Sequence, residues 1–560
     1  MPWTDAEQPE WQRRLNRFCE NWIFAFLVAM AIRHFLIEAF IIPTTSMEPM
    51  LRGDLGWFQG DFVAVDKIGH HLGQPKRFDV TVFQVPRDEL YQDTVMTRPA
   101  VDEHGAWRAR PFLDPLVNRN FVKRLLVMPG EDWYIRHGNL YVRPHGSSAP
   151  FAVARKPDAL QEALWYRTYR SGAQAEHDQR VWAVPAATAA ASTVAADAAG
   201  VLAFALRPGS PVRFQQPLSN LYLKPAQVRA LPPGMEARID GPVKSGEVLP
   251  PGGTVEPERP LLRSGSGQTV DLWDASRIGG WQFFRLKTED LDPRSRSLGA
   301  ELNGIMREPV GDWRWRLAIR RLSGTMAWIL GDGIQERRLT LADGAWSVAA
   351  DGRVLGTGRL PRINDLRLAF ALVDDQLRLE LDGADAGRWE VAPWREPTLT
   401  TLAWQVDGDG QAELSAELER DLHWSRRGVL GAEDLANLLA HEAAMPRAEW
   451  ARTAREVLRM RLAPLRRLHP TIEWPSEVAT LSMPSSELGD WLRQIARLGD
   501  GAFGHSEATY LTTPPDGCLM LGDNSPHSDD GRNYGYVPMV NVRGRALAVV
   551  FPPQRWRVVR

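Results

Sequence analysis

Between Pro43 and Pro49 the chain places Thr44, Thr45 and Ser46, three hydroxyl side chains in a loop stiffened by proline at both ends. A serine hydroxyl becomes a useful nucleophile only when a base within hydrogen-bond reach takes its proton. Taken alone, the same cluster also suits a plain turn whose hydroxyls satisfy the backbone. The stretch Phe121–Met128 is apolar and rich in β-formers, reads as a buried strand closed by Pro129-Gly130, and holds Lys123 in its middle. Such a lysine either guards a sheet edge and snorkels to water, or is a buried amine available as a base. Free lysine titrates near ~10.4 and a working base nearer ~7–8, so a Ser/Lys pair needs surroundings that penalise the ammonium by roughly 4 kcal/mol. Phe121, Val122, Leu125 and Leu126 are side chains of that kind. A third polar group, Leu521-Gly522-Asp523-Asn524-Ser525-Pro526-His527-Ser528-Asp529-Asp530-Gly531-Arg532, is loop chemistry dense in carboxylates. It lacks the ligand spacing of a calcium loop, and no metal-ligand pattern occurs elsewhere.

Stepping outward to the elements that must hold these groups, Trp22–Ile42 is 21 residues of mostly apolar character, and a helical rise of ~1.5 Å each would carry it across a bilayer core of ~30 Å. Arg33, His34 and Glu38 interrupt its second half, where pairing of Arg33 with Glu38 would offset the cost. Arg13, Arg14 and Arg17 precede it, which places residues 1–21 in the cytoplasm and the remainder outside. A cleaved secretory signal ending at Ala29-Met30-Ala31 is the alternative. Apolar character resuming after Ala31 favours a retained anchor.

In this order behind one apolar segment, the three groups resemble bacterial type I signal peptidase (leader peptidase), a membrane-anchored Ser/Lys protease. Ile42–Leu51 looks like the family's Pro-Ser-x-Ser-Met-x-Pro, Lys123–Glu131 its Lys-Arg-x-x-Gly-x-Pro-Gly-Asp, and Gly522–Arg532 its Gly-Asp-Asn-x-x-x-Ser-x-Asp-Ser-Arg. Gly60–Val65 and Pro75–Phe83 are similar to the two β segments lying between them. Thr44, Thr45, Val127, Glu131 and Gly531 depart from the pattern, and all but Thr44 lie away from the bond-breaking positions. The resemblance implies that Ser46 attacks, Lys123 takes and returns the proton, and Ser528 directs the lysine amine. It further implies that the Ser46 N–H and the Thr44 hydroxyl meet the oxyanion, and that no cofactor or metal takes part. Phe40, Ile42, Pro43, Leu51 and Val122 would line shallow pockets for small side chains, while Asp523, Asn524, Asp530 and Arg532 brace the last loop. The implied substrate is a signal peptide added as a strand, cut after a small-x-small site at the outer face of a bacterial cytoplasmic membrane by a single-pass enzyme.

The expected fold is mainly β: a transmembrane helix at 22–42, then an antiparallel catalytic domain over 43–145 and 511–560, interrupted by an insertion at 146–510. Within that insertion, alternating runs and regularly placed tryptophans over about 270–405 predict a β-sandwich. The tryptophans read as core, or as the aromatic face of a sugar-binding module. Residues 183–206 read as linker or helix, and 431–468 as helical with breaks at prolines. With 560 residues, 44% hydrophobic and 24% charged, the chain has core for several domains and is neither disordered nor polytopic. A net charge of −2 supplies no field for nucleic acid, and two cysteines exclude a disulfide scaffold. Two other functions fit the residues: a Ser/His enzyme using His527, and a catalytically silent anchored protein binding an unknown ligand through the insertion.

Overall fold

A computed structural model describes residues 10–31, 37–53, 60–67, 75–86, 118–215, 309–425, 446–458, 472–499 and 506–559, apart from short interruptions, together with a few short segments elsewhere. The chain forms two compact bodies. The first takes residues 1–129, 514–522 and 536–560, and the second takes 130–513 and 523–535.

The first body begins with helix α1 (Glu10–Ala31). Strand β1 (Ile37–Ile41) then pairs antiparallel with β2 (Phe62–Asp66). The single helix expected over Trp22–Ile42 is therefore corrected: α1 starts 12 residues earlier and ends at Ala31, and the segment that would have completed the span is a strand. The physical reason lies in Ile37-Glu38-Ala39-Phe40-Ile41, which alternates apolar side chains and starts and ends on β-branched residues. Glu38 Oε2 lies 2.5 Å from Lys67 Nζ instead of serving Arg33, which falls outside the described residues along with His34. Among the described residues no helix is long and apolar enough to cross a membrane.

Strands β3 (Val80–Pro86) and β4 (Asn118–Val127) complete the middle of this body. The sheet order is β1, β2, Val542–Phe551, β3, β4, Gly517–Leu521 and Val537–Pro538, all antiparallel. Strands from the two ends of the sequence thus alternate in one sheet. The run Leu125-Leu126-Val127 is buried on both faces, and each such side chain removed from water contributes ~1.5–3 kcal/mol. Opposite Lys123 on β3 stands Thr81, which places the lysine between buried neighbours.

In the second body, Trp313–Gly331 and Ala403–Arg420 pair along nearly their whole lengths, with a register shift between Ile319 and Arg321. The first half of the earlier strand also pairs with Leu366–Val373 and its second half with Glu336–Ala342, so the pair belongs to both layers of a folded sheet. Tight hairpins connect the neighbours. Asp374 and Asp375 adopt φ of 48° and 57°, the left-handed pair a two-residue turn demands, as their sequence suggested. Trp313, Trp315, Trp328, Trp346, Trp394 and Trp404 are buried and Trp389 packs beside them, so these indoles are core and not a sugar-binding face. Trp273 and Trp281 lie outside the described residues. The folded sheet also reaches further back than about 270: Tyr166–Arg170, Thr193–Ala196, Leu202–Leu206 and Val212–Phe214 all join it. The described residues of 183–206 are therefore mostly strand, neither linker nor helix. A smaller sheet, Glu131–Arg136, Asn139–Pro144, Ala152–Val153 and Leu511–Thr512, and helices including Glu477–Ser482 and Ser485–Gly499 complete this body as described.

Candidate active site

Ser46 sits in a single 3-10 turn, Thr45–Met47, between β1 and β2. Proline on either side keeps the segment from joining the sheet, and the Leu51 N–H closes it onto the Met47 carbonyl at 2.8 Å. Asp61 secures both ends of the loop. Its carbonyl accepts from Ile42 N–H and its N–H donates to the Arg52 carbonyl, both at 2.9 Å, while its carboxylate accepts from Arg52 N–H at 2.9 Å. Arg555, 494 positions away, grips the same carboxylate with Nε and Nη2 at 2.8 Å each, the bidentate geometry that gives an ion pair directional strength. Two glycines allow the backbone to close up. A Cβ at Gly53 would lie 2.0 Å from the Thr44 carbonyl oxygen and one at Gly60 2.6 Å from that of Ile42, so neither position tolerates a side chain without displacing the loop.

From β4, Lys123 Nζ donates to Ser46 Oγ at 2.6 Å across a separation of 77 positions. Both side chains are withdrawn from water, Lys123 at 3% and Ser46 at 6% exposure, and the amine lies 5.8 Å from the Phe121 ring centre. Removing an amine from water disfavours its charged form, and a neutral amine at this distance is placed to accept the hydroxyl proton. Thr44 Oγ1 is 3.1 Å from Ser46 Oγ on an exposed residue, where a second donor would face an oxyanion built on the serine. Neighbouring Arg124 donates Nη1 to the Phe78 carbonyl at 2.7 Å.

The remaining expected residues divide into several groups. Phe40 on β1 and Val122 on β4 are half-buried, so each offers surface to an added chain. Ile42 and Leu51 are fully buried, which makes them the floor of the loop and not an open wall. Pro43 and His527 lie outside the described residues. Ser528, Asp523, Asn524, Asp530 and Arg532 belong to the second body and are all buried. There the Arg532 guanidinium binds Asp530 through Nε at 2.8 Å and Nη2 at 2.7 Å, the pair expected to brace this loop, and the Asp530 carboxylate caps the short helix Gly531–Tyr534. Ser528 Oγ has no hydrogen-bond partner among the described residues. Sequence reasoning missed Asp61, Arg555 and Ser525. Asp61 carries only a weak signal, a polar residue between Gly60 and a strand, and nothing in the chain links it to Arg555.

Comparison with known proteins gives a match to the family model described as "Signal peptidase, peptidase S26" over residues 15–192 and 494–551. "Probable signal peptidase I-2" of Synechocystis is 31% identical over 120 residues, 21% of this chain and 42% of that protein. Signal peptidase I of Leptolyngbya laminosa is 28% identical over 137 residues, 24% of this chain and 54% of its own. A signal peptidase I of Mycobacterium tuberculosis is 41% identical over 66 residues, 10% of this chain and 22% of its own. The chain spans about half the length of the first two. Among solved structures, a Bacillus subtilis protein with a galectin-like fold overlaps 46% of this chain and 97% of its own at a TM-score of 0.24 and 7% identity.

Proposed function

We propose, from the likeness of two of its segments to the signal peptidase family, that this chain is a serine endopeptidase that removes signal peptides from exported preproteins, with Ser46 as nucleophile and Lys123 as base. The observation that carries this reading is the 2.6 Å approach of Lys123 Nζ to Ser46 Oγ with both groups buried. Neutral Lys123 takes the Ser46 proton as Oγ attacks the scissile carbonyl. The developing oxyanion is met by the Ser46 N–H and the Thr44 hydroxyl. The lysine returns its proton to the leaving amine, and water then releases the acyl group by the same route in reverse. Asp530 and Arg532 brace the loop that carries Ser528.

The substrate adds as a strand beside the loop, its small side chains entering between Phe40 and Val122, which suits cleavage after small-x-small sites. The setting is the outer face of a bacterial cytoplasmic membrane. Supporting this, the end of α1 holds Trp22, Ile23, Phe24, Phe26 and Leu27 in the open, each more than half exposed, an apolar surface of the kind a bilayer covers. The test is to incubate the detergent-solubilised full chain with a secretory precursor and map the cut by mass spectrometry, repeating with Ser46→Ala and Lys123→Ala. Cleavage after a small-x-small site by the parent alone is expected. A cut elsewhere, or parental rates in either variant, overturns the mechanism.

A further inference from the structure

Asp61 closes the base of the loop that carries Thr44 and Ser46, and the residue that grips its carboxylate, Arg555, is itself held by a built element. Arg555 ends a 3-10 turn, Pro553–Arg555, where its N–H donates to the Pro552 carbonyl at 2.9 Å and the Trp556 N–H to the Pro553 carbonyl at 3.2 Å. Both flanks of this turn are fixed to the sheet. Before it, Val542–Phe551 pairs with β2, and the Phe551 ring meets that of Phe62, next to Asp61, edge-on with centres 5.3 Å apart. After it, Arg557 and Val558 fold back against Val549 and Ala548, and the Val559 N–H donates to the Leu547 carbonyl at 2.8 Å. The Trp556 indole N–H donates to the Val550 carbonyl at 2.5 Å, which ties the turn to the strand before it. Arg555 therefore reaches Asp61 from a braced hairpin.

Exposed ion pairs contribute little, because water screens them and both side chains stay mobile. This one is of another kind: the Asp61 side chain is 1% exposed, that of Arg555 18%, and two N–H donors meet the two oxygens of one carboxylate. Paired parallel bonds fix orientation as well as distance. What they orient is the loop, since the same Asp61 Oδ2 accepts from the Arg52 N–H. Beyond Arg52, Gly53 lies so close to the Thr44 backbone that a Cβ there would come 2.0 Å from the Thr44 carbonyl oxygen. A shift of Arg52 is thus passed to Thr44, two residues from Ser46. The 2.6 Å between Ser46 Oγ and Lys123 Nζ leaves little room for it, because displacing a reacting group by ~1 Å can cost about 100-fold in rate.

We propose that Arg555 is a positioning residue for the nucleophile, acting through Asp61 to keep Ser46 Oγ within reach of Lys123 Nζ. This rests on the reading of Ser46 and Lys123 given above and adds to it a task for the hairpin 542–559. All four residues belong to the first body, and neither Arg555 nor Asp61 takes part in making or breaking a bond.

The experiment compares the full-length parent, Ser46→Ala, Arg555→Met, Arg555→Lys and Val549→Ala on one secretory precursor, below the lowest melting temperature of the set, with kcat, KM and melting temperature for each. Arg555→Met is expected to lose about 10- to 100-fold in kcat with KM near the parental value. Arg555→Lys, a cation without the planar fork, should recover part of that loss. Val549→Ala, which removes buried methyl groups from the same hairpin and leaves Asp61 and Arg555 in place, should lower the melting temperature and keep parental kcat. Parental kcat in Arg555→Met overturns the proposal. So does an equal loss of kcat in Val549→Ala, which makes the pair an ordinary contributor to stability. If Arg555→Met does not fold, Asp61→Asn is judged by the same criteria, and failure of both to fold also overturns it. If the parent does not cut, or Ser46→Ala cuts equally well, the catalytic reading itself fails; if Ser46→Ala is dead while Arg555→Met keeps parental kcat, only the role of Arg555 falls.

Discussion

Among the described residues each body buries one lysine, and the groups within hydrogen-bond distance of the two differ. Lys123 meets an uncharged hydroxyl at 2.6 Å, whereas Lys156 lies 2.6 Å from Asp374 and 2.9 Å from Asp421. For Lys156, burial works against the ammonium, but the two carboxylates outweigh it and hold the proton more firmly than in water. The same residue at nearly the same depth thus meets two carboxylates in the second body and, in the reading proposed above, serves as a base beside a hydroxyl in the first.

The largest effect that would sharpen this contrast is on activity. Ser46→Ala or Lys123→Ala should lower kcat by roughly 10⁴-fold or more while circular dichroism stays unchanged. Lys156→Met should instead destabilise the second body by about 3–5 kcal/mol in urea unfolding, because it strands two buried carboxylates. If Lys156→Met proved neutral in stability, the contrast between the lysines would break. Thr44→Val, which deletes one donor while keeping the shape, should cost about 10²–10³ in kcat, with Thr44→Ser near parental. The smallest expected effect is a pH dependence. Burial, reinforced by Asp374 and Asp421, raises the Asp312 carboxyl well above its ordinary range, so the folded state keeps a proton that the unfolded chain gives up near ~3.9. Stability therefore declines as pH rises above about 4 towards the folded-state value, and Asp312→Asn should flatten that decline. Urea unfolding across that range would show it; an unchanged slope in the variant would not agree.

Local rules made much of this legible. Ser46 and Lys123 stood out through the ordered resemblance, since taken alone their loop and strand also suit a plain turn and an edge lysine, and the Asp374-Asp375 hairpin showed by alternation on either side of two turn formers. What failed was long-range. Helix and strand compete for Ile37–Ile41, and pairing with β2 decided a contest that hydropathy alone assigned to the membrane. The sandwich was placed too late because its early strands are short, and most of them are set by pairing with the distant Ala403–Arg420. Asp312, Asp374, Asp421 and Lys156 are scattered through the insertion, and no spacing rule connects them. The Asp61 and Arg555 pair is hidden for the same reason.

That pair has a consequence for how the first body comes together. The loop bearing Ser46 is clamped by Arg555, 494 positions further along from Asp61, and Val542–Phe551 slots between β2 and β3. The distance between the Ser46 alcohol and the Lys123 amine is therefore set late in folding, once strands from widely separated parts of the sequence have met.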